Sequence, residues 1–421
     1  MVDGLKKEYI DRMINDLGKD FDRYMATFDQ KETHGFILNK NKLKNSSIDI
    51  EYIKKHFDAK LIFHDENIAY FLYDKEKLST GGIYIGKDPL YHVGLYYVQE
   101  PSAAKAVYSF DIKEDDSVLD LCASPGGKSI VALCKLNESK GGFLISNEID
   151  YNRSKILVSN IERMGFSNVI VTCNDSSRLK NEFCQFFDKI IVDAPCSGEG
   201  MMRKNIEARL QWSENLVISM SKIQKKLLDD AYYMLKVGGE ILYSTCTFSK
   251  TEDEEVIYDI LSKYKDLKLL MIRKIYPFEE IGEGQFYAII KKNGEKSTNI
   301  TCPSSKEISK LNILKYKVDA MENYRSIVIP THASTHVDNM RFDCEYELDD
   351  NDVYKYIKGE TLKVGNLTVN GYYKMKYKNL GLGLAKYTNG IFKNHYPKGL
   401  RRRTLYPTEV QGLIFLIFVS I

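Results

Sequence analysis

Between Ser117 and Cys246 the chain alternates short apolar runs with longer stretches of helical spacing, and this alternation leaves few folds open. SVLDLC, GGFLISNE, VIVTCND, DKIIVDAP and GEILYSTC read as buried strands. They are separated by helix-like stretches such as GKSIVALCKL, YNRSKILVSNIERMG and NLVISMSKIQKKLLDDAYYMLKVGG, whose apolar residues recur at helical intervals. Strands alternating with helices imply right-handed crossovers and a parallel sheet covered on both faces, an α/β fold. Gly238-Gly239 reads as the stop of the last helix. LKLLMIRKI and GQFYAIIKK supply two further strands that close the sheet near residue 293.

The flanks differ in pattern. Residues 1–105 mix helical and strand periodicities, with KLIFHDENIAYFLYD reading as short strands around a turn, so a small α+β domain is expected there. The polar stretch NGEKSTNITCPSSKE has the composition of a linker. Beyond it, 305–421 is rich in Tyr, Gly and short strand-like segments, a small mostly β module. The expected division is therefore 1–105, 106–295 and 305–421. A chain of 421 residues has room for it.

Composition narrows the function classes. With 60 Lys+Arg against 58 Asp+Glu the net charge is +2, so a nucleic-acid site has to come from local patches. The start, MVDGLKKEYIDRMINDLGKD, has no apolar region of the secretory kind, and the closing GLIFLIFVSI is too short to span a bilayer of about 30 Å. The eight cysteines are dispersed, with no C-x-x-C pair and no Cys/His cluster at zinc spacing. They read as reduced thiols of a cytoplasmic protein, with no metal and no membrane partner expected.

Chemistry-bearing residues fall at the strand ends. In VLDLCASPGGKSIVAL, the glycines after Pro125 make a tight turn that lets a ligand approach the backbone, and the next helix presents unpaired N–H groups. Neither the GxGxxG dinucleotide loop nor the GxxxxGK[ST] phosphate loop is present, which disfavours a nicotinamide dehydrogenase. Glu148 ends the second strand, where nucleoside ribose hydroxyls are gripped; a solvated helix-cap acid is the alternative. Asp175 ends the third, facing an adenine amine or capping the next helix. Cys196, in DAPCSGEG, and Cys246, in STCTFS, share the same carboxyl edge. A single cysteine there is ordinarily a small buried hydrophobe; two on adjacent strands are less ordinary.

Together VLDLCASPGGKS, NEID, DAPCSGEG and YSTCTFS resemble the motif set of the RNA cytosine-5 methyltransferases of the Sun/RsmF type. YYVQEPSAA is similar to that family's lead-in, and LGLGLAKYTNGIFKNHYPKGLRR resembles the PUA-like extension of its bacterial ribosomal-RNA branch. One departure is Ser124, where the family usually has Ala. The resemblance implies a Rossmann-like methyltransferase core between a small α+β N-terminal domain and a PUA-like C-terminal module. It also implies S-adenosyl-L-methionine as cofactor, held by Cys122, Ala123, Ser124, Pro125, Gly126, Gly127 and Lys128, with Glu148 on the ribose, Asp175 near adenine and Asp193 near the methionine end.

The family's chemistry assigns Cys246 as the nucleophile that adds to carbon 6 of cytosine, Cys196 to release of the product, and Asp193 to the target base. In the DNA enzymes the Pro-Cys thiol attacks instead, which makes Cys196 the runner-up nucleophile. The target base has to leave its stack, so the surrounding RNA must be held. Lys386, Lys393, Lys398, Arg401, Arg402 and Arg403, interleaved with Tyr387, Phe392, His395 and Tyr396, offer backbone contacts and stacking platforms or else a solvated charged face. Arg203 and Lys204 follow the PCSGEG loop and are expected to meet target-strand phosphates. Ribosomal RNA or the small ribosomal subunit is the expected partner of a monomer, with transfer RNA as rival substrate and a non-catalytic ribosome-assembly factor as rival class.

Overall fold

The structure, a computed structural model, describes residues 2–294, 300–324 and 327–401. The middle of the linker stretch, Arg402, Arg403 and the apolar C-terminal end lie outside the described residues. Packing divides the chain into two compact units. The first comprises the segment up to Phe36, Gln99–Leu157 and Asn168–Leu314; the second comprises Ile37–Val98, Val158–Ser167 and the chain from Lys315 onward.

The first unit is built on a mixed sheet. Its strands are β1 (Ser117–Asp120), β2 (Phe143–Asn147), β3 (Val169–Thr172), β4 (Phe187–Asp193), β5 (Leu235–Thr245), β6 (Leu267–Ile275), β7 (Gln285–Lys292) and β8 (Ile313–Tyr316). Their order is β6-β7-β5-β4-β1-β2-β3-β8. β3, β2, β1, β4 and β5 run parallel, while β7 pairs antiparallel with β5 and β6 with β7. Helices at Gly127–Lys135, Tyr151–Met164, Ser176–Glu182, Glu214–Met234 and Glu254–Lys263 connect successive strands. β1, β2 and β3 are buried along their whole length, and β4 except at Asp193. This is why they read as continuous apolar runs. Strand order reverses between β1 and β4, so the carboxyl edge of those strands is the crevice where ligands collect.

The last long helix does not run to the glycines. It ends at Met234, and Leu235–Thr245 is one strand, with Gly238 at φ 81° beside a register shift between Phe187 and Lys189. The cause is Lys236, fully buried and ion-paired to Asp188 at 2.8 Å. Satisfying that charge draws the chain into the sheet before it reaches the Gly-Gly pair. A Cβ on Gly239 would lie 2.9 Å from the Asp188 carbonyl oxygen.

Among the described residues the second unit holds three small sheets: a four-stranded one, an antiparallel pair of Met321–Tyr324 with Ile327–Pro330, and a five-stranded one. Lys60–His64 and Ile68–Tyr73 form the antiparallel pair expected from KLIFHDENIAYFLYD, and Asp65 caps their turn by accepting from the N–H groups of Asn67 and Ile68 at 2.8 and 2.9 Å. The C-terminal sheet runs in the order Glu345–Glu347, Gly371–Tyr377, Leu380–Thr388, Ile391–Asn394, Leu362–Lys363. Its core is aromatic: the rings of Tyr373, Tyr387 and Phe392 pack with centroids 5.2 to 5.9 Å apart. Lys42 ties the segments of this unit together by donating to the carbonyls of Met164 and His336 at 3.3 and 3.1 Å.

Candidate active site

The loop after β1 opens the site. Ala123 N donates to Asn147 O at 2.8 Å, Ser124-Pro125 is a cis peptide, and Gly126 adopts φ 118°, a left-handed conformation that glycine takes without strain. The following helix starts so close to Gln99 that a Cβ on Gly127 would meet the Gln99 amide nitrogen at 2.7 Å. Arg153 braces the loop from the far side, donating to Ser124 O at 3.1 Å while Ser124 Oγ donates to Arg153 O at 3.0 Å. Its guanidinium also lies 3.5 Å from Glu148.

Two of the acids around this loop, Glu148 and Asp120, are buried, whereas Asp175 is partly exposed. Glu148 is buried, accepts from Asp150 N at 2.9 Å, and is pushed upward in pKa by burial, with Arg153 opposing. Asp120 is fully buried at the end of β1. Its Oδ2 accepts from Ser129 at 2.7 Å, its Oδ1 has no hydrogen-bond partner among the described residues, and burial pushes its carboxyl up to about 7. Burial raises the Cys122 thiol as well. Asp175 caps the helix Ser176–Glu182 through Ser177 N at 2.9 Å and pairs with Lys226 at 3.0 Å. Partial desolvation acts on its carboxyl in the opposite sense, but these partners hold it below the usual range.

β4 and β5 bring the remaining groups together. Asp193 pairs in register with Ser244, whose hydroxyl donates to Asp193 Oδ1 at 2.7 Å. The other carboxylate oxygen meets Lys128 Nζ at 2.7 Å, with the Lys128 side chain 6% exposed. Three residues beyond Asp193, the Cys196 Sγ lies 3.3 Å from the Cys246 Sγ. The hydrogen bond with Cys246, and then burial, raise the Cys196 thiol well above its ordinary value.

Several site residues carry no signal in a linear reading. Glu252 looks like one acid in a solvated TEDEE run, yet it is buried and accepts from the backbone of Ser197 at 2.9 Å. Glu199 hides inside PCSGEG. Buried, it takes Arg12 at 2.7 Å, Trp212 Nε1 at 2.9 Å and Phe248 N at 3.1 Å. No periodicity could have separated these acids from surface ones, because Glu252 sits in a turn and Glu199 opens a 3-10 helix of three residues.

The residues expected to hold RNA divide into two groups. Arg203 and Lys204 are only 6% and 8% exposed and are ion-paired to buried Glu283 at 2.8 and 3.3 Å, so their charges are satisfied inside the protein. Lys393 and Lys398 are exposed, whereas Arg401 donates to Tyr396 O at 2.8 Å and is half-buried. Tyr387, Phe392 and Tyr396 are buried at 1 to 2% exposure. The expectation of stacking platforms is corrected for these three: a small module needs their area for its core.

Among the described residues no cluster of three or more His, Cys, Asp or Glu side chains could hold a metal, and no helix is long and apolar enough to cross a membrane.

A parallel sheet of this order with an antiparallel β7, bearing a glycine loop after β1 and an acid at the end of β2, is the fold of the S-adenosylmethionine-dependent methyltransferases. Three family models cover most of the chain: the N-terminal domain of 16S rRNA methyltransferase RsmF on residues 5–101, 16S rRNA methyltransferase RsmB/F on 107–299, and the RsmF PUA domain on 344–402. The chain belongs to this RsmB/F family. Ribosomal RNA small subunit methyltransferase F of Aeromonas salmonicida is 37% identical over 192 residues, 44% of this chain and 40% of that protein. The Vibrio vulnificus protein of the same name is 29% identical over 332 residues, 74% of this chain and 66% of that protein. The chain thus matches less than half of the first relative's length. The structure of NSun6 from Pyrococcus horikoshii, solved with SFG, an S-adenosylmethionine analogue, shares the fold at a TM-score of 0.58 and 20% identity, covering 70% of this chain and all of that one.

Proposed function

We propose that this protein methylates carbon 5 of cytosine in RNA, with 16S ribosomal RNA of the small subunit as substrate, in the cytoplasm. The observation that carries the reading is the pair of thiols 3.3 Å apart beside the Lys128–Asp193 ion pair, at the switch-point edge of the sheet. Its working division is 1–105 and 305–421 for RNA and 106–295 for chemistry.

The residues present fit S-adenosylmethionine. Glu148 is a buried carboxylate at the end of β2, suited to a ribose diol, and the unpartnered Oδ1 of Asp120 leaves a buried acceptor beneath the glycine loop. Cys122 to Lys128 form its loop, and Asp175 and Asp193 flank its two ends. When bound, the cofactor supplies an electrophilic methyl group.

The chain's own residues supply the rest. Carbon 5 of cytosine is a weak nucleophile, and addition of a thiolate to carbon 6 turns it into an enamine carbon. The two thiols share one hydrogen bond, so their protons are lost as a pair, and the resemblance of YSTCTFS to the family motif assigns the attack to Cys246. Asp193, braced by Lys128 and Ser244, offers a hydrogen-bond partner to the cytosine ring as charge develops on it. Once the Cys246 sulfur is bonded to carbon 6 it no longer hydrogen-bonds the Cys196 thiol, which gives its proton to solvent; after carbon 5 has been alkylated, the Cys196 thiolate removes the carbon 5 proton, the electron pair re-forms the C5–C6 double bond, and the Cys246 sulfur leaves as thiolate. Bisulfite mapping of 16S and transfer RNA from cells lacking the protein tests the reading. Loss of one or more 5-methylcytosines in 16S RNA is expected, and loss confined to transfer RNA would move the substrate assignment.

A further inference from the structure

The two cysteine loops are joined by more than their thiols. Ser197 directly follows Cys196, Thr247 directly follows Cys246, both are buried, and their hydroxyl oxygens lie 2.9 Å apart. Glu252, itself buried, accepts from Ser197 N at 2.9 Å, from Ser197 Oγ at 2.5 Å and from Gln224 Nε2 at 3.0 Å. Gln224 also donates to Pro195 O at 2.8 Å, and Tyr243 Oη to Glu252 O at 2.6 Å.

Proton counting gives this network a direction. A serine hydroxyl has one proton. If Ser197 gives it to the Glu252 carboxylate, Thr247 must donate to Ser197 in turn, and the chain reads Thr247 to Ser197 to Glu252. Two other links join the loops: Gly200 N donates to Cys246 O at 2.8 Å, and Phe248 N to Glu199 at 3.1 Å. Each engages the far end of the PCSGEG loop. The hydroxyl pair alone bridges the residues immediately after both cysteines.

We infer that Thr247, Ser197 and Glu252 are positioning residues, a hydrogen-bonded clamp that sets the spacing of the Cys196 and Cys246 thiols. Both thiols sit on loops, which hold a reacting geometry only when a supporting shell locks them. A displacement of about 1 Å at such a pair can lower turnover about a hundredfold. The catalytic consequence rests on the proposed two-cysteine reading; the spacing itself does not.

The test uses the full-length protein without cofactor or RNA. Dibromobimane, a bifunctional alkylating agent, joins neighbouring thiols, and mass spectrometry identifies the Cys196–Cys246 bridged peptides. Thr247→Val keeps the volume and removes the hydroxyl; it is expected to lower the bridged yield at least about threefold and, where methylation is measured, to lower kcat about tenfold with little change in KM. Thr247→Ser is expected to restore both. Ser197→Ala, which removes the middle of the chain, is expected to reproduce the loss and serves if Thr247→Val does not fold, as judged by its melting curve. Unchanged bridging in the folded variant, or failure of Thr247→Ser to restore it, overturns the clamp. Methylation retained by Cys246→Ala would instead overturn the two-cysteine reading and leave the bridging result standing.

Discussion

The sulfurs of Cys196 and Cys246 lie 3.3 Å apart across fifty positions of sequence, and hydrogen bonding within that pair holds the Cys196 thiol protonated above its ordinary range. The roles proposed for the two cysteines predict opposite adduct behaviour for their variants. Cys246→Ala should form no denaturation-resistant complex with substrate RNA and no 5-methylcytosine. Cys196→Ala should add to the base and accept the methyl group but resolve slowly, so protein accumulates covalently on RNA. A denaturing gel with RNA and cofactor reads both; adduct in Cys246→Ala with none in Cys196→Ala reverses the assignment.

Glu148→Gln should weaken S-adenosylmethionine about tenfold to a hundredfold, since a hydrogen bond to a charged group is worth about 1.5–3 kcal/mol. Titration calorimetry checks this, with a smaller cofactor-induced thermal shift. Asp175→Ala should reduce the same shift and also cost about 1 kcal/mol of stability, because the side chain caps a helix. Unaltered affinity in both variants would misplace the pocket.

The fully buried Asp120 makes stability depend on pH. Its carboxyl ionises near 4 when unfolded and at about 7 when folded. The folded state therefore holds the proton more tightly, and the stability this confers is complete below about pH 4 and lost as pH rises toward 7. Asp120→Asn removes the titration. Relative to the parent, it should gain about 2 to 3 kcal/mol between pH 5 and pH 7.5 in urea melts. Parallel pH profiles of the two proteins would contradict this.

The Lys236–Asp188 pair predicts non-additive costs. Asp188→Ala strands a buried ammonium and should destabilise by about 3–5 kcal/mol. Adding Lys236→Met should recover most of that loss. A double variant no more stable than Asp188→Ala would show that the lysine is not what the aspartate serves.

On the C-terminal module, Lys393→Glu with Lys398→Glu should weaken RNA binding and flatten its salt dependence, with cofactor affinity unchanged. The log-log slope should fall by up to about 0.7 for each single-strand phosphate that the lysines no longer neutralise. Filter binding across a salt series measures it. An unaltered slope would make these lysines a solvated face.

The parallel core was legible because its strands are buried on both faces and its helices on one, so composition repeats along the chain in a way that spacing reveals. Asp193, Cys196 and Cys246 were legible because topology sends the ends of adjacent parallel strands to one edge, whatever the side chains do. Burial of isolated polar groups was not. Lys236 entering the sheet before Gly238, Arg203 and Lys204 closing on Glu283, and the loop acids Glu199 and Glu252 pointing inward all depend on partners elsewhere in the sequence. Tyr387, Phe392 and Tyr396 likewise could be platforms or core on sequence alone, and the small sheet buries them. Sequence by itself determined the succession of strands and helices along the chain and which residues stand at the strand ends, because both follow from local pattern and chain connectivity. Only the tertiary structure decided which charges are desolvated and paired, because an ion's solvation is set by what surrounds it in space.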